Sequence, residues 1–429
     1  RERDAGALGS PAGAITMLSV LILGAAGAHD RSAPPSSLSR SRVLQHQQQS
    51  TRGDALATVQ CLRGGGGDKC DVILVGCGVP KRGMGWYHAK QMLDGDVPSA
   101  TLTTVVEPWF LGQGKDSPPG QTFGVWAEEM SKAHGTKFCA SLDEVSINGP
   151  TMALISGRTA DNPRLLKEVI DLGCTAVYLE KPGAPTVKEL EEMRAYAKSK
   201  GVQVFMGYNK NVTPYVRKAL EFARKQKGET TTTYYHNNAY KPDELPECFE
   251  RNAEGMLKNM AIHELALLAT YWGVTVDNIK SVTPDAAFSE CKTLTGPGGK
   301  QFTDFAKVGF TVETKDGKTI TLMIDRCGSD SGGNSIAVVS DASGKELFRA
   351  ETPDAALSTK VAEAAAKDPE MMPYFFLQHD DYITLKELSS SHVIKGAAGA
   401  PEGMATIDVA VDALKVAEYL TPLLQDALK

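Results

Sequence analysis

The 429-residue sequence has no surplus of basic charge: 46 lysines and arginines stand against 52 acidic residues, a formal net charge of -6. Without a broad positive field it has no electrostatic means of holding nucleic acid or an anionic membrane surface, so a small molecule is the expected partner. CxxC pairs and His/Cys clusters are also missing, and the eight cysteines are scattered at 61, 70, 77, 139, 174, 248, 291 and 327. That spacing offers neither a disulfide framework nor a metal site, and it predicts reduced thiols behaving as small hydrophobes. Long apolar runs are lacking too. Residues 15–28 (ITMLSVLILGAAGA) fall short of the ~20 needed to cross a bilayer, and no membrane helix is expected in the mature protein. No internal repeat is present.

What is there suits a large folded protein. Hydrophobic residues make up 42% and charged residues 23%, ordinary globular usage, and the length predicts two packed units rather than one. The expected organisation is a leader over residues 1–70, a dinucleotide-binding domain over 71–207 and a second domain over 208–429. The apolar run at 15–28 ends in small residues, as a secretory h-region does, and residues 31–53 contain Ser, Arg, Gln and Pro but no acid. Two alternatives stay open: a bipartite leader for plastid import, or a leader with no targeting role and a cytoplasmic protein.

Residues 71–75 (DVILV) read as a buried parallel strand that runs straight into Gly76-Cys77-Gly78. Gly76 and Gly78 allow a tight turn close to a pyrophosphate, and Gly85 lets the helix over 86–93 pack close and aim its N-terminus at the phosphates. Gly83 is the alternative third glycine. The next strand, 100–106 (ATLTTVV), ends at Glu107, whose carboxylate is placed to accept from the ribose hydroxyls of NAD and to repel the 2′-phosphate of NADP. A third strand over 152–156 ends at Ser156, and a fourth over 176–179 ends in Glu180-Lys181-Pro182. Ligands bind outside the carboxyl ends of such strands, so these ends should share one crevice.

In this order of motifs the chain resembles the Gfo/Idh/MocA family of sugar and polyol dehydrogenases. The features are Gly85-Trp86-Tyr87-His88, Glu180-Lys181-Pro182, a helix over 187–200, a strand over 202–206, Gly207-Tyr208-Asn209, and His263. The resemblance covers roughly residues 71–425. It implies a Rossmann-type doubly wound parallel sheet followed by an α+β domain with an open, mainly antiparallel sheet. It further implies NAD as cofactor, with NADP as the alternative. Lys181 would contact the nicotinamide ribose and the substrate oxygen, His263 would act as general base, and His88, Ser156, Glu180 and Pro182 would line the cofactor site. Where the family carries Asp four residues before the histidine, this chain has Asn259, which can hold a hydroxyl but brings no charge.

The helix expected over 256–272 puts Asn259 and His263 on one face, and Tyr208 and Asn209 offer hydroxyl and amide groups to a polyol. Residues 234–250 (YYHNNAYKPDELPECFE) read as a loop able to close over substrate. Period-two segments over 305–313, 319–324 and 335–340 predict the second sheet, its free face suited to a homo-oligomer, and a last helix over 407–424 is expected to return to the first domain. The reaction expected is hydride transfer between NAD(H) and a hydroxyl or carbonyl of a sugar, inositol or related molecule. The alternatives are a dinucleotide-binding regulator without turnover and a reductase of a non-sugar compound.

Overall fold

The computed structural model describes residues 69–330 and 332–428, so the leader expectations for residues 1–68 lie outside the described residues. The first part of the chain alternates strands and helices: β1 (Cys70–Val75), α1 (Met84–Leu93), β2 (Ala100–Val106), α2 (Pro118–His134), β3 (Lys137–Cys139), β4 (Thr151–Ile155), α3 (Asn162–Leu172), β5 (Ala176–Leu179), α4 (Val187–Ser199) and β6 (Gln203–Met206). The six strands form one parallel sheet in the order β3-β2-β1-β4-β5-β6. The order reverses between β1 and β4, which opens a crevice at their carboxyl ends.

Mostly apolar residues make these strands, because the central ones must bury two faces at once. Val72, Leu74, Met152, Leu154, Tyr178 and Phe205 point to one side, while Ile73, Val75, Ala153, Ile155, Val177 and Met206 point to the other. The alternation of side chains along each strand sends neighbours into separate cores.

The second part contains α5 (Pro214–Lys225), β7 (Thr230–Asn237), α6 (Leu245–Arg251), α7 (Met256–Asn259), α8 (Ile262–Leu267), β8 (Ile279–Pro284), β9 (Glu290–Thr295), β10 (Gln301–Thr314), β11 (Thr319–Asp325), β12 (Asn334–Asp341) and β13 (Glu346–Thr352). Helices α9 (Ala355–Lys367), α10 (Pro373–Leu377), α11 (His379–Lys395) and α12 (Ile407–Ala427) complete it. Its sheet runs β13-β12-β7-β11-β10-β8, with β9 on β10, and is antiparallel except where β7 meets β11. Glycines in the left-handed region, Gly317 (φ 83) and Gly344 (φ 85), close the two expected hairpins. Its outer face carries hydroxyl pairs such as Thr311 with Thr321 at 2.8 Å.

Two expectations need correction. Residues 234–250 are not a loop: Tyr234 to Asn237 finish the central strand β7, with the Tyr234 side chain fully buried, and Leu245–Arg251 is helical. The inward positions of β7 are Thr232 and Tyr234, so the strand's alternation was concealed by its polar composition. Nor is 256–272 one helix. The Met256 carbonyl accepts from both Met260 (2.9 Å) and Ala261 (3.0 Å), the ladder slips by a residue, and Leu265 restarts it from Ala261 at 2.9 Å. Among the described residues no helix is long and apolar enough to cross a membrane.

Helices from the end of the chain complete the first sheet. Helix α11 lies across β1, β2 and β4 on the side of α1, burying Tyr382 and Leu385 with Val72 and Leu74. Helix α12 packs on α4 and α8, and the Ala405 carbonyl ahead of it accepts from the Met206 amide at 2.9 Å.

Candidate functional site

The crevice is laced together strand by strand. The amides of Gly76, Ser156, Glu180 and Gly207 donate to the carbonyls of Val106, Val75, Ile155 and Leu179, at 2.9, 2.9, 3.0 and 2.9 Å. Each residue just past a strand end is thereby held at the same edge.

At the first of these ends the chain turns through Gly76 (φ 83) and Gly78 (φ 77), conformations that L side chains rarely adopt. A Cβ on Gly85 would run into the Gly76 carbonyl oxygen, and one on Gly83 would lie 2.8 Å from the Cys77 carbonyl. Both glycines let α1 start against the turn. The lengthened stretch between Gly78 and Gly85 is folded on itself: the Val79 carbonyl accepts from Arg82 (3.1 Å) and Gly83 (2.7 Å). Lys81, itself left-handed at φ 65, reaches Asp368 and Glu370 at 3.0 Å each.

Glu107 lies on this turn, 5% exposed. Its Oε2 accepts from the Cys77 and Gly78 amides at 2.8 and 2.9 Å, and its Oε1 accepts from the Trp109 amide at 3.2 Å. A carboxylate has about four acceptor sites, so three internal bonds leave room for one ribose hydroxyl.

His88, Glu180 and Gly207 form a second group. His88 is fully buried, with Nε2 on Glu180 Oε1 at 3.0 Å, and its ring stands edge-on to Tyr178 and Tyr382. Burial, reinforced by the nearby Lys386 charge, pushes the His88 pKa down to about 4. The Glu180 carboxylate fills the space a Cβ on Gly207 would need.

Lys181 follows Glu180 and is joined to Pro182 by a cis peptide. Burial lowers its pKa, opposed by the charges of Glu180 and Glu254. Lys181 in turn acts on His263: burial pushes this histidine well below its ordinary range, and the charges of Lys181 and Lys210 push it further. The imidazole is therefore neutral. Its Nδ1 is buried and has no hydrogen-bond partner among the described residues. Tyr208 stands edge-on to the same ring (centroids 5.9 Å apart, 89°), and its own buried hydroxyl also lacks a partner among the described residues. Orphaned polar atoms inside a protein are costly and call for an explanation, and a bound ligand supplies one.

Asn209 and Asn259 are engaged with the protein. Asn209 Nδ2 donates to Asp381 Oδ2 at 3.4 Å, and Asn259 Nδ2 donates to Glu254 Oε1 at 2.7 Å. Burial raises Asp381 to about 7, against the bonds from Thr213 and Asn209.

Two groups beside His263, Glu264 and His236, escaped the sequence reading. Glu264, fully buried on α8, is bridged by Lys210 Nζ and by His236 Nδ1 at 3.0 Å, and Lys210 also reaches Ser335 Oγ at 2.9 Å. Its interactions with His236 and Lys210 hold the Glu264 carboxyl far below its usual range despite burial. His236 was concealed by the loop reading of its strand, whereas Glu264 directly follows His263 and was legible as a buried acid on an apolar helix.

The glycine turn, the start of α1 and the orphaned atoms fit a dinucleotide, and Lys181 and His263 are the residues that would meet its reactive end. Among the described residues no cluster of metal-binding side chains occurs. Residues 122–208 match a family model described as the oxidoreductase family with NAD-binding Rossmann fold, GFO_IDH_MocA. No curated protein matches the chain. A myo-inositol dehydrogenase from Corynebacterium glutamicum shares 18% identity over 82% of this chain and 95% of its own, at a TM-score of 0.57. Scyllo-inositol dehydrogenase from Lactobacillus casei, solved with NAD(H) and scyllo-inositol, shares 10% over 84% and 96%, at 0.56. GenD2 from gentamicin A biosynthesis, solved with NAD, shares 16% over 84% and 95%, also at 0.56. At these identities the likeness is one of fold, and with the family match it agrees with the Gfo/Idh/MocA resemblance.

Proposed function

We propose that this chain is an NAD-dependent oxidoreductase that moves a hydride between the cofactor and a hydroxyl-bearing or carbonyl carbon of a sugar, inositol or related polyol. The observation that carries this reading is the neutral His263 with a buried, unused Nδ1, standing in the field of Lys181 at the carboxyl edge of a Rossmann sheet. The inositol dehydrogenases among the structural neighbours support the substrate class. NAD, when bound, supplies the hydride acceptor or donor.

The protein's own part is positioning and proton handling. Glu107 would take a ribose hydroxyl with its remaining acceptor site and exclude a 2′-phosphate, which favours NAD over NADP. The Lys181 ammonium would stabilise negative charge on the substrate oxygen, and His263 would take the hydroxyl proton at Nδ1 as the carbon is oxidised. The Tyr208 hydroxyl is free to hold a neighbouring hydroxyl. Asn259, tied to Glu254, would contribute a neutral contact where the family has a carboxylate.

The test is NADH fluorescence titration of the whole protein, followed by NAD+ reduction with a panel of inositols, aldoses and sugar acids. NADH binding together with turnover of at least one polyol is expected. Binding without turnover of any polyol or sugar-derived ketone would overturn the enzyme reading, and failure to bind would overturn the cofactor site.

A further inference from the structure

Lysine is among the residues least often fully buried, and when buried it is normally paired with a carboxylate. Lys386, on α11, is fully buried, yet its bonds go to His88 Nδ1 at 3.1 Å and to Gln91 Oε1 at 2.6 Å, both on α1. Its ammonium also lies 5.7 Å from the centroid of the Tyr382 ring on its own helix.

The arrangement has a direction. Because Lys386 donates to Nδ1, the neutral His88 must carry its proton on Nε2, which then donates to Glu180 Oε1 at 3.0 Å. The Glu180 side chain is thus anchored by His88, its other side closed by Gly207. Burial pushes the Lys386 pKa down to about 7, against the charges that face it, Glu180 at the end of β5 and Asp96 beyond α1. Glu180 is also the main charge favouring the ammonium of Lys181. One carboxylate therefore faces two lysines, Lys386 through the His88 ring and Lys181 next to it in the chain.

We propose that Lys386 is a positioning residue for Lys181: acting through His88 and Glu180, it sets the orientation and the net charge that the Lys181 ammonium meets. This rests on the reading of Lys181 as the group beside the reacting carbon. Nothing in the sequence marks Lys386, which lies 205 positions beyond Lys181 (386 − 181) on a helix of weak amphipathic pattern.

The test separates charge from mere packing. The whole protein is reductively methylated with a ¹³C label and the Lys181 signal, identified by its loss in Lys181→Arg, is titrated by NMR. In Lys386→Met the Glu180 charge is no longer shielded, so Lys181 holds its proton more tightly and its midpoint rises by about half a pH unit or more. Gln91→Glu places a carboxylate against Lys386, cancels its charge and moves the midpoint the same way. If Lys386→Met does not fold, Gln91→Glu decides alone. Turnover in the folded variants should fall about tenfold while the NADH Kd stays within about threefold, since a single lost charge–charge contact is worth on the order of 1.4 kcal/mol. A midpoint that stays put or moves down overturns the proposal. Should the unsubstituted protein turn over no polyol, the proposed function fails, and the titration still decides whether Lys386 governs Lys181.

Discussion

The two ends of the crevice are built on opposite principles. At the glycine turn polar groups are matched internally: Glu107 takes three backbone amides, Val79 takes two more, and Lys81 is tied to two acids. Around His263 the reverse holds, with His263 Nδ1 and the Tyr208 hydroxyl buried and unmatched among the described residues. The first end is a finished receptor for a group that always has the same shape. The second stays incomplete until something binds, and that is where the chemistry and the specificity should lie.

This contrast can be broken by substitution. The largest effect is expected at the incomplete end: His263→Ala should lower kcat by ~10²–10⁴-fold, with the NADH Kd nearly unchanged, as stopped-flow and fluorescence titration would show. Equal loss of cofactor binding would mean that the two ends are not separate. Next comes Gly85→Ala, whose methyl meets the Gly76 carbonyl; it should cost ~3 kcal/mol in denaturant unfolding and weaken NADH by more than tenfold. Unchanged NADH affinity would remove the turn from the cofactor site.

Glu107→Gln keeps the size but replaces one acceptor oxygen with a donor. A loss of ~1–2 kcal/mol in stability and a narrower preference for NAD over NADP are expected, measured by thermal shift with both cofactors. The smallest effect is a gain. The folded-state pKa of Asp381, pushed up to about 7, lies above the ordinary carboxylate range, so the folded protein binds more protons and loses stability as pH rises through that window. Asp381→Asn should therefore leave the protein unchanged near pH 4 and raise Tm by roughly 1–2 °C near pH 8. A gain that was the same at both pH values would show that titration is not its cause.

The finished end was also the legible end. A β-branched run, two glycines and an acid at the next strand end are local signals, and the turn they foretold is made of neighbours in the chain. Five strands of the first sheet were readable for the same reason, since buried parallel strands are near-continuous apolar runs, whereas β3, three residues beginning with an exposed lysine, was missed. The incomplete end is assembled from β5, β6, β7, α8 and α11, and only its motif-bearing members, Lys181, Tyr208 and His263, stood out. His236 was hidden in a strand whose inward positions are threonine and tyrosine, and the slip after Met256 has no proline or glycine at Met260 or Ala261 to announce it. Lys386 carried no signal, because what makes it unusual is its burial, a property of the folded chain.

The place of α11 also bears on how the protein can be made. The apolar face formed by Val72, Leu74, Met152, Leu154 and Phe205 is roofed by a helix that is synthesised long after the strands it covers. A fragment ending near residue 208 would expose that face to water, so the dinucleotide-binding part should aggregate when expressed alone. During synthesis its sheet must wait, uncovered, for nearly half the chain to arrive.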